Sequence, residues 1–250
     1  MNYRHITFAV AIVCSAFNAA VRAEPRAVIE LFTSQGCSSC PAADKLLGEL
    51  ARDPSLLTMS LAVDYWDYLG WKDTLALHGH SVRQRAYADA RGDREVFTPQ
   101  VVVNGVVHVL GSDKAAIEKA IADTQGTAAL LKVPVTIALV DGKISVNVPA
   151  AAAGEQPSAE IWLCPLTAKT PVAVGRGENS GKTLTYTNVV RRWVKLGDWN
   201  GKAQNFSMPV AELPKGDYTL ADIDRVAVVV QSGVFAKPGL MLGAAETAIR

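Results

Sequence analysis

The chain has 250 residues, with 25 Lys and Arg against 24 Asp and Glu, a formal charge of +1, and 49% hydrophobic residues. So even a balance excludes a strongly basic nucleic-acid surface and an acidic tail. The length suffices for one large domain or two modest ones, each with its own core.

Residues 1–23 read as a secretory signal peptide. Arg4 and His5 form a short polar start, Ile6 to Ala20 is almost wholly apolar or small, and Val21-Arg22-Ala23 fits a cleavage site. The apolar run is short for a bilayer span, which needs about 20 residues. Cleavage at Ala23 makes Glu24 the mature start. It removes Arg4, Arg22 and no acidic residue, so the net charge turns from +1 to −1. It also removes Cys14 and leaves Cys37, Cys40 and Cys164. No later stretch is long and apolar enough to span a membrane. The mature chain is therefore expected in the periplasm or outside the cell, where disulfides persist.

Ala27 to Thr33 reads as a buried strand. Residues 41–52 have the apolar spacing of a helix, with Leu46, Leu47, Leu50 and Ala51 on one face, and Asp53-Pro54 ends it. Between them lies Ser34-Gln35-Gly36-Cys37-Ser38-Ser39-Cys40-Pro41. Two cysteines at this spacing, where a strand becomes a helix, meet unpaired N–H groups and the positive end of the helix dipole. That setting favours a thiolate, the form that attacks disulfides. It is a redox motif when it follows a strand and opens a helix. Leu56 to Asp64 is a second strand, so the first three elements imply a right-handed parallel crossover.

Tyr65, Trp66, Tyr68 and Trp71 crowd seven residues. They either pack a loop on itself or form a substrate-facing wall beside the cysteines. Residues 74–90 look helical, with a break at Gly79. His78 and His80 flank that glycine, but residues two apart do not share a helix face, so no metal site is read there. Arg91-Gly92-Asp93 is a turn. Asn104-Gly105 between apolar runs marks a hairpin, Pro99 belongs at the start of its first strand, and Asp113 caps a helix from Lys114 to Thr124. The order is β-α-β-(helical insert)-β-β-α.

From residue 129 the pattern changes. Val133 to Val140 and Lys143 to Val148 alternate and are joined by Asp141-Gly142, a hairpin. Ala150 to Pro157 reads as a loop. Ala159 to Leu166, Thr185 to Trp193, Gln204 to Met208 and Arg225 to Gln231 read as further strands. The expectation is an antiparallel sheet or sandwich with an Ig-like look, following a domain over 24–128. Cys164, between Leu163 and Leu166, is expected to be a buried inert thiol, the alternative being an intermolecular or regulatory disulfide.

Cys37-Ser38-Ser39-Cys40, Thr98-Pro99 and the Val-Val-Val-Asn-Gly hairpin resemble the thioredoxin, glutaredoxin and DsbA superfamily. Glu30 to Pro41, Val63 to Trp71 and Thr183 to Val190 more closely resemble a family of secreted bacterial proteins catalogued as domain of unknown function 1223. The resemblance implies a thioredoxin-like α/β fold. It also implies that Cys37 is the nucleophile and Cys40 the resolving cysteine, the less exposed of the two. It implies a cis Pro99 facing the sulfurs, and Thr98 backbone groups that pair with a bound peptide. A buried carboxylate near the resolving cysteine can move its proton, and Glu30 is the candidate; otherwise it points to solvent or pairs locally. Several features depart from the familiar enzymes. Gly36 stands where thioredoxin has an aromatic, the gap from Cys40 to Pro99 is longer, and the β-rich half is extra.

The leading expectation is an exported thiol–disulfide oxidoreductase acting on protein disulfides or with a periplasmic redox partner, without a cofactor or a bound metal. One alternative is a scaffold with a static disulfide and a β-rich partner-binding module. Another is a Cu(I)-handling protein using Cys37, Cys40 and His108.

Overall fold

The computed structural model describes residues 24–152 and 157–250. The expected signal peptide lies outside them, as do residues 153–156 of the expected loop. Among the described residues no helix is long and apolar enough to cross a membrane.

The fold is mixed α/β, with a large, mostly antiparallel sheet and few helices. β1 (Ala27–Thr33) is buried along its whole length, which is why it reads as a continuous apolar run rather than an alternating one. It pairs in parallel with β2 (Leu56–Ala62) and antiparallel with β3 (Gln100–Val103), which forms a hairpin with β4 (Val107–Leu110). The parallel pair requires a crossover, supplied by α1 (Cys40–Leu50). α2 (His78–Arg91) and α3 (Lys114–Thr124, capped by the Asp113 side chain, which accepts from Ala116 N) complete the α-helices among the described residues.

The two faces of β1 are covered differently. Ala27, Ile29 and Leu31 pack with Leu46, Leu47 and Leu50 of α1 and with Ile117 and Ile121 of α3. Val28 and Phe32 face the other way, into a core with Tyr87 of α2 and with Cys164, Leu166, Val190, Ala227 and Val229 from the second half of the chain.

That second half holds β5 (Thr136–Val140), β6 (Lys143–Val148), β7 (Ala159–Ala173), β8 (Thr183–Val190), β9 (Val194–Trp199), β10 (Gln204–Pro209), β11 (Arg225–Val234) and β12 (Lys237–Ala248). β10, β6 and β5 form a three-stranded sheet. It packs Ile144, Val146 and Val148 against Ile161 and Leu163 of β7 and Val226, Val228 and Val230 of β11. The remaining strands run β12-β11-β7-β8-β2-β1-β3-β4, with β9 also on β7. β8 joins β2 in parallel at Ser60 and Val189. One sheet therefore runs across the position where the sequence changes character, near residue 128.

Several expectations shift: the strand expected over Thr185 to Trp193 is β8, which starts at Thr183 and ends at Val190. α2 begins at His78 and runs through Gly79 without a break, because Leu77 is its N-cap and Gly79 sits in the first turn. β7 extends to Ala173, well past Leu166. Its residues 159–163 pair with β9, and 166–173 pair with β8. Pro165 lies in the gap between those two ladders on that side, where no hydrogen bond to β8 or β9 is lost. Both hairpin turns are as expected: Asn104 and Gly105, then Asp141 and Gly142, all adopt positive φ.

Candidate functional site

α1 starts at Cys40 with Ser39 as its N-cap and Pro41 in the first turn, where a missing N–H costs nothing. Cys37 and Cys40 are joined by a disulfide at the amino end of this helix. Ser38 and Ser39 are exposed, but Cys37 is only 1% exposed and Cys40 0%. Both cysteines are therefore buried, with almost no difference in exposure between them. The polar neighbour of the Cys37 sulfur is Ser39 Oγ, at 3.4 Å.

The loop before Cys37 is held from several sides. Gln35 N donates to Asp73 Oδ2 at 2.7 Å and Gly36 N to Ser34 Oγ at 3.0 Å. A Cβ on Gly36 would stand 3.0 Å from Trp66 Cβ, so Trp66 explains why no aromatic precedes Cys37. Trp66 Nε1 in turn donates to Thr98 Oγ1 at 2.8 Å, and the Thr98–Pro99 bond is cis. The pairing of Phe32 with Gln100 sets this peptide at the carboxyl end of β1, the end from which the cysteine loop leaves. Trp66 therefore links the two conspicuous motifs. Trp71 donates to Gln35 Oε1 at 2.8 Å and Tyr65 to Gln84 Oε1 at 3.1 Å. Tyr68 is 78% exposed. The aromatic loop is thus mainly a braced wall, with one ring left open to solvent.

Glu30 does not sit where the proton-transfer reading needs it. It shares its face of β1 with Phe32, opposite the face α1 covers. One oxygen accepts from Arg83 Nε at 2.7 Å and the other from the Tyr87 hydroxyl. Gln231 Oε1 and the face of Trp193 complete the surroundings of Arg83. Strand direction decided this, and the sequence does not show it.

The buried carboxyl on the α1 side is Asp44, four residues after Cys40 and hence on the same helix face. Neither of its oxygens has a partner within ordinary hydrogen-bond geometry, and the same holds for the hydroxyls of Thr33 and Tyr186, although the Thr33 hydroxyl lies near enough to favour the ionised carboxyl. Burial pushes the Asp44 carboxyl up to about 8; Thr33 pulls it partly back and Asp73 adds to the rise. Asp73 is itself pushed up to about 6, chiefly by burial, against the N–H groups of Gln35 and Leu75. Asp44 lines a cleft of about 690 Å³ between α1 and β8, with Lys45, Gly48, Thr185, Thr187 and Arg225 among its walls. Neither cysteine lines that cleft.

The remaining candidates scatter. His78 pairs with Asp64, and His80 is buried with Nδ1 on Ala62 O, its ring held neutral as burial lowers it to about 4. His108 meets Gln100 Nε2, Asp93 and Glu95. Among the described residues no group of three His, Cys, Asp or Glu is placed to hold a metal ion. Cys164 is a free thiol at 0% exposure, and burial drives its ionisation far upward.

Residues with no earlier sign of a role sit in the turn from β7 to β8. Asn179 Nδ2 donates to Gln35 O at 3.0 Å and to Cys37 O at 2.9 Å, and Glu178 Oε2 accepts from Ser38 N at 3.2 Å. The sequence Gly175-Arg176-Gly177-Glu178-Asn179-Ser180-Gly181 signals only a turn. Its contact with the cysteine loop spans more than 140 residues of chain.

A family model described as "Protein of unknown function (DUF1223)" matches residues 28–231, from β1 into β11. Among solved structures, a crystal structure of a protein from Agrobacterium tumefaciens, a structural genomics target, is similar at 30% identity. The match covers 89% of this chain and 94% of that one, with a TM-score of 0.76. No match is found among curated proteins.

Proposed function

This chain belongs to the DUF1223 family, whose description assigns no activity, and from its site we propose that it is a thiol–disulfide oxidoreductase of an exported compartment. The observation that carries the proposal is the disulfide at the amino end of α1, coupled through Trp66 to the cis Thr98–Pro99 peptide. Residues 24–128 are read as a thioredoxin-like unit, in the order β1-α1-β2-α2-β3-β4-α3. The β-rich remainder is read as a second unit fused along the same sheet.

In the reducing direction, the Cys37 thiolate attacks one sulfur of a protein disulfide. The other sulfur leaves as a thiolate, and a mixed disulfide forms. The Cys40 thiolate then attacks Cys37 Sγ and expels the second substrate thiolate. Two electrons pass from the pair to the substrate. Run in reverse, the oxidised pair takes two electrons from a protein dithiol. Cys40 must lose its proton before it attacks, and Asp44, one turn along the same helix face, is the group assigned to accept it in place of Glu30. Thr98 backbone groups are assigned to pair with the extended substrate segment.

The test is reduction of insulin by dithiothreitol with catalytic protein, together with the potential of the pair against glutathione. Wild type is expected to accelerate insulin reduction. Cys37→Ser is expected to abolish the acceleration, and Cys40→Ser to accumulate a mixed disulfide. Equal rates with wild type, Cys37→Ser and buffer overturn the proposal. The burial of Cys37 favours a second reading, a static disulfide within a partner-binding scaffold. In that case Cys37→Ser/Cys40→Ser keeps partner binding, and the pair has a potential below about −300 mV.

A further inference from the structure

We propose that the turn joining β7 to β8, residues 174–182, is a strap that closes the disulfide site, pinned by Asn179 and biased by Glu178, which competes with the Cys37 thiolate for the amino end of α1. The inference rests on the redox reading above and assigns that site its regulation.

Asn179 lies near the tip of a turn whose neighbours Gly177, Glu178, Ser180 and Gly181 are exposed, yet it is fully buried. The turn is built to present it. Gly177 and Gly181 take positive φ, Ser180 N donates to Gly177 O, and Gly181 N donates to Val174 O. The Asn179 amide uses both its ends: Nδ2 on the carbonyls of Gln35 and Cys37, and Oδ1 on Lys182 Nζ at 3.0 Å. Those two carbonyls bracket the Gly36–Cys37 backbone. Pinned on both sides, Cys37 is not free to turn its sulfur outward. The base of the strap is wedged by Trp71, which lies 2.9 Å from the position of a Cβ on Gly175 and also holds Gln35. Exchange needs a thiolate to approach the attacked sulfur, and this sulfur is closed off. A partner must therefore lift the strap, breaking the two Asn179 bonds, worth roughly fivefold each in the opening equilibrium, together with the Glu178 bond to Ser38 N.

Glu178 sets the direction. α1 has no acidic residue in its first turn, and the side chain of its N-cap Ser39 caps no backbone N–H. The positive end of the helix is therefore free for one anion. While the pair is oxidised there is no thiolate, and the Glu178 carboxylate takes the Ser38 N–H. When a dithiol reductant delivers two electrons and is itself oxidised to a cyclic disulfide, a Cys37 thiolate appears beside the same helix end. Two anions then contend for one N–H region and the strap is pushed off. Of the other charged groups nearby, Arg176 is exposed on the same turn. Lys182 is on Asn179, Asp73 is on Gln35 N and Leu75 N, and Asp44 is one turn down the helix. The device slows attack by small thiols on the oxidised pair and opens the reduced pair to its partner.

The experiment uses residues 24–250 as wild type, Asn179→Ala and Glu178→Gln, each checked by thermal melt. Reduction of the native disulfide by dithiothreitol is followed by mass. Alkylation of the reduced protein by iodoacetamide at pH 7 is then followed at Cys37 and Cys40 separately. Asn179→Ala is expected to speed reduction roughly tenfold or more. In Glu178→Gln the amide oxygen can still accept from Ser38 N, so this variant is expected to leave reduction within about twofold of wild type. With no second anion to push the strap off, it is also expected to slow Cys37 alkylation several-fold, a difference that high salt diminishes. Should Asn179→Ala fail to fold, Glu178→Gln, at an exposed position, carries the test. A reducible pair with equal rates in all three proteins overturns the strap and leaves the redox reading standing. Faster reduction in Asn179→Ala without slower alkylation in Glu178→Gln overturns the role of Glu178. A pair that dithiothreitol fails to reduce in any folded variant overturns the redox reading and the strap with it.

Discussion

Asp44 is a buried carboxyl one turn along α1 from Cys40 with no partner within ordinary hydrogen-bond geometry, and the hydroxyls of Thr33 and Tyr186 mark a polar pocket there. Its carboxyl ionises near pH 8 in the folded chain and near 3.8 in the unfolded one. Between those values the folded state holds the extra proton, so the contribution is a loss of stability as pH rises through that window. Asp73, pushed up to about 6, acts in the same direction below pH 6. Asp44→Asn is therefore expected to match wild type near pH 4 and to be more stable at pH 8 by a few kcal/mol. Urea unfolding at the two pH values checks it; equal stability at pH 8 counts against a burial that suppresses ionisation. Glu30 and Arg83 are a different case. Each is sealed from solvent with its partner in reach, so removing either leaves an uncompensated buried charge. That arrangement serves the core under β1, and Glu30 is spent on it.

At the scale of elements, the hairpin β3–β4 does more than reverse the chain. Asn104 accepts from Val28 N at 2.8 Å and donates to Thr124 Oγ1 at 2.8 Å, so the turn ties the start of β1 to the end of α3. Gly105 has φ 78°, and a Cβ there would stand 2.2 Å from Gly239 O. Gly105→Ala is expected to cost about 2–4 kcal/mol, from a strained backbone and displacement of the start of β12. A loss of unfolding free energy below about 1 kcal/mol in urea would show that the contact yields. Here the sequence was legible, since Asn-Gly announced the turn, while the side-chain bridges of Asn104 were not. β9 and β12 were not legible either. Leu-Gly-Asp and Leu-Gly-Ala-Ala-Glu have little intrinsic strand preference and gain it only by pairing with β7 and β11.

For the whole molecule, the shared sheet and shared core make the two halves interdependent. Val28, Phe32 and Leu61 from the first half pack with Leu166, Val190 and Val229 from the second. A chain ending at residue 128 leaves that surface and the β2 edge bare. It is expected to aggregate or lack a cooperative melt by circular dichroism, whereas residues 24–250 unfold in one transition. An independently folded 24–128 fragment would refute this. The sequence by itself determined the local features: a buried first strand, a cysteine pair opening a helix, two Asn/Asp-Gly hairpins, the β-rich character after residue 129, and family membership. These are written in side-chain period, turn chemistry and motif spacing, which act over a few residues. Only the tertiary structure decided that Glu30 faces Arg83, that β8 docks on β2, and that Asn179 reaches the cysteine loop. Each of those depends on which face a strand presents or on pairing between distant segments, and no local pattern encodes either.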